Sequence, residues 1–431
     1  MQLLEKLNNI WQGIDYPFLI HGGQELRISQ LLSQKVIDLS GIKAGNVIAI
    51  IGDFDPSSIL TLLRLIDLGA IVVPLTKETI HQHEYFFDTA FVDVVIGNSV
   101  VKRRVLKGTH ELLDQLRAEK HAGLISFTTG TTGRPKAILH DLTLFLRRFE
   151  SPRPTLRTLN FLLFDHIGGL NTLFHTLFNK GVVVAPETRT ANSVLEVCRK
   201  HEVEVLPTTP TFLRLMLMNG AVPSQIPRCL KVITYGTERM DQPTLDELCR
   251  LLPQVDFRQT YGTSELGVLR VKSEARDSLF MKIGGEGVET RVVDGVLQIR
   301  SQTRMLGYLN APSPFDSENW YDTKDIVEEK NGFYKIVGRT SDIINVGGLK
   351  FMASEVERVA LEFPNVSLVS AYAKRNPITG EHVELKVQPS KENLVDKDAL
   401  TTYLKSKLQP HMVPKRIIIE DISVGHRFKK A

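Results

Sequence analysis

The 431 residues predict an α/β fold with a large N-terminal domain of mixed α/β sheets, a small antiparallel β subdomain within it, and a small α+β C-terminal domain. Three changes of texture carry that prediction. From about residue 28 to 270, β-branched runs alternate with amphipathic stretches, as strands and crossover helices of an α/β sheet do. Past Asp277 come short strands separated by glycine turns, and after Arg339 a compact strand and helix unit begins. The expected division is therefore residues 1–339 and 340–431.

In order, the strands of the first region are Val47–Ile51, Ala70–Val73, Val92–Ile96, Val182–Ala185, Val232–Tyr235 and Asp256–Thr260. Between them Ile59–Leu68 and Gly168–Phe178 have helical spacing; in the second, Leu170, Leu173, Phe174, Leu177 and Phe178 recur at steps of three and one. Asp294-Gly295 is a tight turn between the strands Val288–Val293 and Val296–Arg300. In the last region Ile343–Val346 leads to Gly347-Gly348. A helix follows whose capping box is Ser354-Glu355-Val356-Glu357 and which Pro364 terminates. Strands at Val366–Ala373 and His382–Val387 flank the turn Asn376–Gly380, and a helix near Ala399–Leu408 stops before Pro410.

Composition narrows the function classes. With 42% apolar and 24% charged residues the chain can bury a sizeable core. Its net charge of +4 is spread along the chain apart from the short tail His426–Lys430, which argues against nucleic acid as a partner. Three widely spaced cysteines, Cys198, Cys229 and Cys249, have neither C-x-x-C spacing nor histidine companions, so a disulfide framework or zinc site is not expected and a reducing cytoplasm fits. Neither an export signal nor a membrane span is expected.

The chemistry is concentrated in a few loops. Leu124-Ile125-Ser126-Phe127 is an apolar strand that runs into Thr128-Thr129-Gly130-Thr131-Thr132-Gly133-Arg134-Pro135-Lys136. Glycines let a backbone bend and turn its N–H groups outward, while hydroxyls and a lysine add donors and charge, so a polyphosphate is the natural guest. A loop of this composition can equally be a solvated turn. The spacing is not that of a Walker P-loop, because the glycines are three apart and Pro135 precedes the lysine.

This stretch closely resembles the phosphate loop of the adenylate-forming superfamily, which includes acyl-CoA synthetases, firefly luciferase and peptide-synthetase adenylation domains; Thr129 stands where a serine is usual. The resemblance runs over about residues 120 to 431, with the other motifs in the family's order; the chain is short for that family. It implies that Thr128, Thr129, Gly130, Thr131, Thr132 and Lys136 hold phosphates, with Thr132 also counted among the catalytic groups. Tyr261-Gly262-Thr263-Ser264-Glu265 resembles the element whose tyrosine stacks on adenine, whose hydroxyl contacts the α-phosphate region and whose glutamate, here Glu265, binds Mg²⁺. A carboxylate is the hard oxygen ligand that Mg²⁺ prefers. Gly236, Thr237 and Glu238 resemble the adenine-lining loop, and Asp325, in Asn319–Asp325, resembles the ribose-binding aspartate, with Lys324 where glycine is common.

Gly338–Lys350 is the second specific match: Arg339 reaches the ribose, the hinge follows with Ser341 and Asp342, and Gly347-Gly348 border the tunnel for a phosphopantetheine arm. The catalytic lysine is implied to be Lys429, with Lys430 as competitor, and His166, in Asp165–Leu170, borders the carboxylate of the acid. What the resemblance implies is ATP-dependent activation of a small-molecule carboxylic acid to an acyl-adenylate, then transfer to a thiol after the mobile C-terminal domain swings. The acceptor is coenzyme A or the phosphopantetheine of an acyl carrier protein. A stand-alone enzyme loading an amino acid or acyl group onto a carrier, and a non-catalytic nucleotide-binding relative, are the other readings. The helix Leu170–Phe178 points to an apolar acid without giving its length.

Overall fold

The β-branched runs assemble into two seven-stranded sheets. The computed structural model describes residues 2–35, 37–97, 100–105, 108–128, 134–390, 395–422 and 425. In one sheet the order is Gly307–Tyr308, Ala137–Asp141, Gly123–Phe127, Ile71–Leu75, Val47–Ile51, Val94–Gly97, Val100–Arg103. Its four central neighbours, from Gly123–Phe127 to Val94–Gly97, are parallel, with antiparallel strands at either side. In the other the order is Asp256–Gln259, Val232–Tyr235, Val205–Thr208, Thr158–Leu159, Val183–Ala185, Leu19–His21, Gln24–Leu26, parallel except for the last pair. Strands buried on both faces read as continuous apolar runs, which is why Val47–Ile51, Val183–Ala185 and Val232–Tyr235 were legible in the chain, whereas exposed edge strands such as Gln24–Leu26 and Val100–Arg103 were not.

Helices Pro56–Leu68 and Ile167–Phe178 lie in the core that joins the two sheets, where Leu62, Leu63, Ile66, Leu170, Leu173 and Leu177 pack with Ile48, Val72, Val183 and Ala185. Each such aliphatic side chain contributes about 1.5–3 kcal/mol by leaving water. The first helix has full punctuation: the Asp55 carboxylate accepts from the Ser58 N–H, Pro56 opens it, and Gly69, at φ 82°, ends it in the left-handed region.

The antiparallel region is a six-stranded sheet ordered Arg270–Ser273, Met281–Gly284, Phe333–Arg339, Tyr321–Lys330, Val296–Ser301, Val288–Val293. Asp294 and Gly295, at φ 50° and 77°, form the expected tight turn. The C-terminal unit has strands Ile343–Val346, Leu349–Met352, Val366–Asn376, Gly380–Pro389 and Arg416–Ile419, with helices Ala353–Leu361 and Lys397–Lys407 on its core. The capping box is corrected here. Met352 is the N-cap and Glu355 closes onto its N–H at 3.0 Å. Ser354 lies inside the helix and donates to the Val337 carbonyl at 3.0 Å. Glu357 accepts from the Ala371 N–H at 3.2 Å and faces Arg239 at 3.7 Å, so two residues read as a cap instead tie this helix to its surroundings.

Candidate active site

Parallel sheets place functional loops at the carboxyl ends of their strands, and the Gly236 and Tyr261 motifs lie there. Val232–Tyr235 ends at Gly236, and its neighbour Asp256–Gln259 ends just before Tyr261. The two loops press together: a Cβ on Gly236 would stand 2.1 Å from Thr260 Oγ1 and 2.7 Å from the Thr260 carbonyl, so only glycine fits. Thr237 follows at φ 69°, and the Glu238 carboxylate accepts from the Thr211 N–H at 3.2 Å.

From Tyr261 the chain makes a small antiparallel turn, Gly262–Thr263 against Gly267–Val268, with Glu265 between. Thr263 Oγ1 accepts from the Leu266 N–H at 3.2 Å, and the Ser264 carbonyl accepts from His140 Nε2 at 2.7 Å. Burial pushes the His140 imidazole down to about 4, the bond to Ser264 offsetting only part of the cost. Glu265 is 8% exposed; its Oε1 accepts from the Tyr308 hydroxyl at 2.6 Å, and its carbonyl from the Met305 N–H at 2.7 Å. Burial first, then the Glu265 charge, raises the pKa of both Tyr308 and Tyr321, so both phenols stay protonated beside it.

Asp325 is the second buried carboxylate, also 8% exposed. Its Oδ2 accepts from the Tyr261 hydroxyl at 2.6 Å and its Oδ1 from Arg339 Nε at 3.0 Å. Arg339 also donates to the Thr323 carbonyl at 3.3 Å. Burial raises the Asp325 pKa, and Arg339 and Tyr261 pull it back only in part. Three residues assigned separately in the sequence thus form one cluster. Lys324 adopts φ 62°, which explains why glycine suits this position.

The phosphate loop is described at its base. The Thr128 N–H donates to the Lys136 carbonyl at 3.1 Å and the Lys136 N–H to Thr128 Oγ1 at 3.0 Å, pinching the loop shut. Tyr85 and Asn310 both donate to the Pro135 carbonyl, at 2.9 and 3.1 Å. Lys136 Nζ lies 4.8 Å from the centre of the Tyr308 ring, which brings the loop's cation to the side chain that holds Glu265. Thr129, Gly130, Thr131 and Thr132 lie outside the described residues, as do Lys429 and Lys430.

His166 caps the helix Ile167–Phe178, its Nδ1 accepting from the Gly168 N–H at 2.9 Å. Gly347 and Gly348, at φ 60° and 91°, form the hairpin turn between Ile343–Val346 and Leu349–Met352. Ser341 and Asp342 sit in a short 3₁₀ turn in which the Asp342 carboxylate accepts from the Arg339 N–H at 3.0 Å. Tyr308, Tyr321, His140 and Asn310 were not singled out from the sequence. Tyr321 stands in the quoted Asn319–Asp325 stretch, and His140 follows the apolar run Ala137-Ile138-Leu139 in its strand.

As a fit for a divalent cation, Glu265 offers a hard oxygen donor with no Lys, Arg or His ion pair among the described residues, so its charge is balanced only by phenol dipoles. The family model for AMP-binding enzymes matches residues 34–309, more than half of the chain. The chain belongs to the AMP-binding enzyme family. Within it, 4-coumarate–CoA ligase-like 6 from Arabidopsis thaliana is 24% identical over 391 residues, covering 83% of this chain and 67% of that protein. The medium/long-chain-fatty-acid–[acyl-carrier-protein] ligase FadD10 of Mycobacterium tuberculosis (strain ATCC 25618 / H37Rv) is 26% identical over 424 residues, covering 81% and 77%. Among solved structures, o-succinylbenzoate CoA synthetase from Bacillus subtilis, in complex with its acyl-adenylate intermediate, superposes with a TM-score of 0.78 at 19% identity, covering 100% of this chain and 96% of that one. This adenylate-forming fold comprises the large N-terminal and small C-terminal parts described above. No helix among the described residues is long and apolar enough to cross a membrane.

Proposed function

We propose that this AMP-binding enzyme joins a carboxylic acid to a thiol through an acyl-adenylate, with coenzyme A as the acceptor. The observation that carries the reading is the cluster of Tyr261, Asp325 and Arg339, one short turn away from the cation-demanding Glu265. An ionised carboxylate accepts at both oxygens, so Asp325 suits a pair of ribose hydroxyls, with Arg339 offsetting part of the cost of burying its charge. Gly236, Thr237 and Glu238 border the adenine, and Tyr261 stacks on it. The loop from Thr128 to Lys136, with Thr129, Gly130, Thr131 and Thr132, holds the phosphates, together with Thr263 and Ser264. Mg²⁺ on Glu265 would neutralise phosphate charge.

The acid's carboxylate attacks the α-phosphorus in line and pyrophosphate leaves, Lys429 stabilising the developing charge. His166 stands at the carboxylate, held at the start of its helix by the bond from the Gly168 N–H to Nδ1. The part from residue 340 on then turns about Ser341 and Asp342, Lys429 withdraws, and the Gly347-Gly348 turn guides the thiol. An acyl carrier protein is the alternative acceptor. It is favoured by the similarity to FadD10, named for transfer to such a carrier.

Acid-dependent exchange of pyrophosphate into ATP tests the first half-reaction. Lys429→Ala should lower it by about two orders of magnitude or more, as loss of one transition-state stabiliser does. Undiminished exchange in both Lys429→Ala and Lys430→Ala would refute the lysine assignment. Product analysis with coenzyme A and with a phosphopantetheinylated carrier separates the acceptors.

A further inference from the structure

We propose that His140 is a positioning residue that, by holding the Ser264 carbonyl, fixes the Glu265 turn against the strand leaving the phosphate loop. The inference rests on the reading of Glu265 as the metal ligand.

Every residue of Ala137–Asp141 is at most 5% exposed, and His140 is 1% exposed. Burying an imidazole there costs about 1–3 kcal/mol that an apolar side chain of the same size would not. A carbonyl can only accept, so Nε2 carries the proton in the 2.7 Å bond to Ser264. Nδ1 then has no partner among the described residues. Half of the ring's polar capacity is left unpaired, so the bond to Ser264 is what the ring gives in return for burial. Phe145 packs against the ring at 5.7 Å, and the nearby Arg148 charge further disfavours its protonation.

The same strand reaches Glu265 by two further routes. Ile138 pairs with Tyr308, whose hydroxyl holds Glu265 Oε1, and Leu139 accepts from the Leu306 N–H at 2.8 Å, next to the Met305 N–H that holds the Glu265 carbonyl. At its other end the strand begins beside Lys136, where the Ala137 N–H donates to Asn310 Oδ1 at 2.9 Å. Ala137–Asp141 is therefore a rigid bar with the phosphate loop at one end and the metal-binding turn along its side. His140 is the contact that reaches the turn's own backbone.

The test uses the full-length protein with ATP and Mn²⁺, Mn²⁺ affinity being read by electron paramagnetic resonance and ATP affinity without metal by equilibrium dialysis. His140→Phe keeps the ring volume and removes the donor; His140→Gln can place an N–H near the position of Nε2, and His140→Asn is too short. We expect Mn²⁺ to bind about tenfold more weakly to the Phe and Asn variants, the equivalent of about 1.4 kcal/mol, with metal-free ATP binding unchanged. His140→Gln should stay within about twofold of wild type, and amide exchange over 262–268 should quicken only in the Phe and Asn variants. Wild-type Mn²⁺ affinity in folded His140→Phe overturns the proposal. Should that variant fail to fold, equal behaviour of the Gln and Asn variants overturns it. Glu265→Gln serves as the control: unchanged Mn²⁺ binding there refutes the metal reading itself, a failure distinct from that of His140.

Discussion

Glu265 and Asp325 are equally buried, at 8% exposure each, yet their surroundings differ in kind. Asp325 has a guanidinium 3.0 Å from one oxygen and a phenol 2.6 Å from the other, which offset part of the cost of its burial. Among the described residues Glu265 has phenols and no ion pair, and Lys136 lies 4.8 Å from the centre of the Tyr308 ring. A buried anion without a counter-charge is held at a cost that an arriving cation removes, whereas a paired one offers hydrogen bonds. On the reading proposed above, the first arrangement suits a metal and the second suits hydroxyls.

That contrast fails if the two carboxylates respond alike to neutralisation. Glu265→Gln is expected to lower acid-dependent pyrophosphate exchange by about two to three orders of magnitude and to raise the Mg²⁺ concentration needed for half activity. Asp325→Asn should raise the KM for ATP by about ten- to a hundredfold, the range of a hydrogen bond to a charged group, and leave the Mg²⁺ requirement alone. Equal shifts in Mg²⁺ requirement would show that the balance of charge does not divide their roles.

Of these two neighbourhoods, the motif residues were legible and their supports were not. Tyr261, Glu265, Asp325 and Arg339 stand in short contiguous motifs, and strands such as Val47–Ile51, Val232–Tyr235 and Val288–Val293 fell where their apolar pattern predicted. Tyr308 reaches Glu265 from 43 positions away and His140 reaches Ser264 from 124, distances at which no local periodicity connects two residues. Ser354-x-x-Glu357 shows the converse failure. It has the spacing of a capping box, but Met352 is drawn into strand pairing with Ile343, which starts the helix one residue before Ser354 and moves the cap to Glu355.

Acid separates the two regions by sign. His140 is neutral when folded, its pKa lowered to about 4 from 6.5, so between these values the unfolded chain binds more protons and stability falls as pH falls. Over that window the loss is about 3 kcal/mol, taking 1.36 kcal/mol per unit. The Asp325 pKa is raised in the fold, so its contribution moves the opposite way: it favours the folded state below the ordinary carboxylate range and weakens as pH rises through its folded value. Urea unfolding followed from pH 7 to 4 should therefore be flatter in His140→Phe than in wild type and steeper in Asp325→Asn. Parallel curves would remove His140 as the source of the acid sensitivity.

The smallest expected effects concern the backbone beside each carboxylate. Lys324 precedes Asp325 at φ 62°, and Gly267 follows Glu265 by two residues at φ 72°. A side chain in the left-handed region costs about 1 kcal/mol relative to glycine. Lys324 carries that cost in open surroundings, and its Nζ bond to Asp322 at 2.7 Å is an exposed pair worth little. Lys324→Gly should raise stability by about 0.5 kcal/mol, read as a small increase in the urea midpoint at unchanged slope. Gly267 has no such freedom: a Cβ there would stand 2.6 Å from Arg148 Nη1 and 3.1 Å from the Phe145 ring, and Arg148 is the group that donates to the Val268 carbonyl. Gly267→Ala should therefore destabilise by more than Lys324→Gly stabilises, and it should disturb Mn²⁺ binding, whereas Lys324→Gly leaves it unchanged. An alanine tolerated at 267 with wild-type metal affinity would mean that the metal-side turn is as loosely held as the ribose-side one.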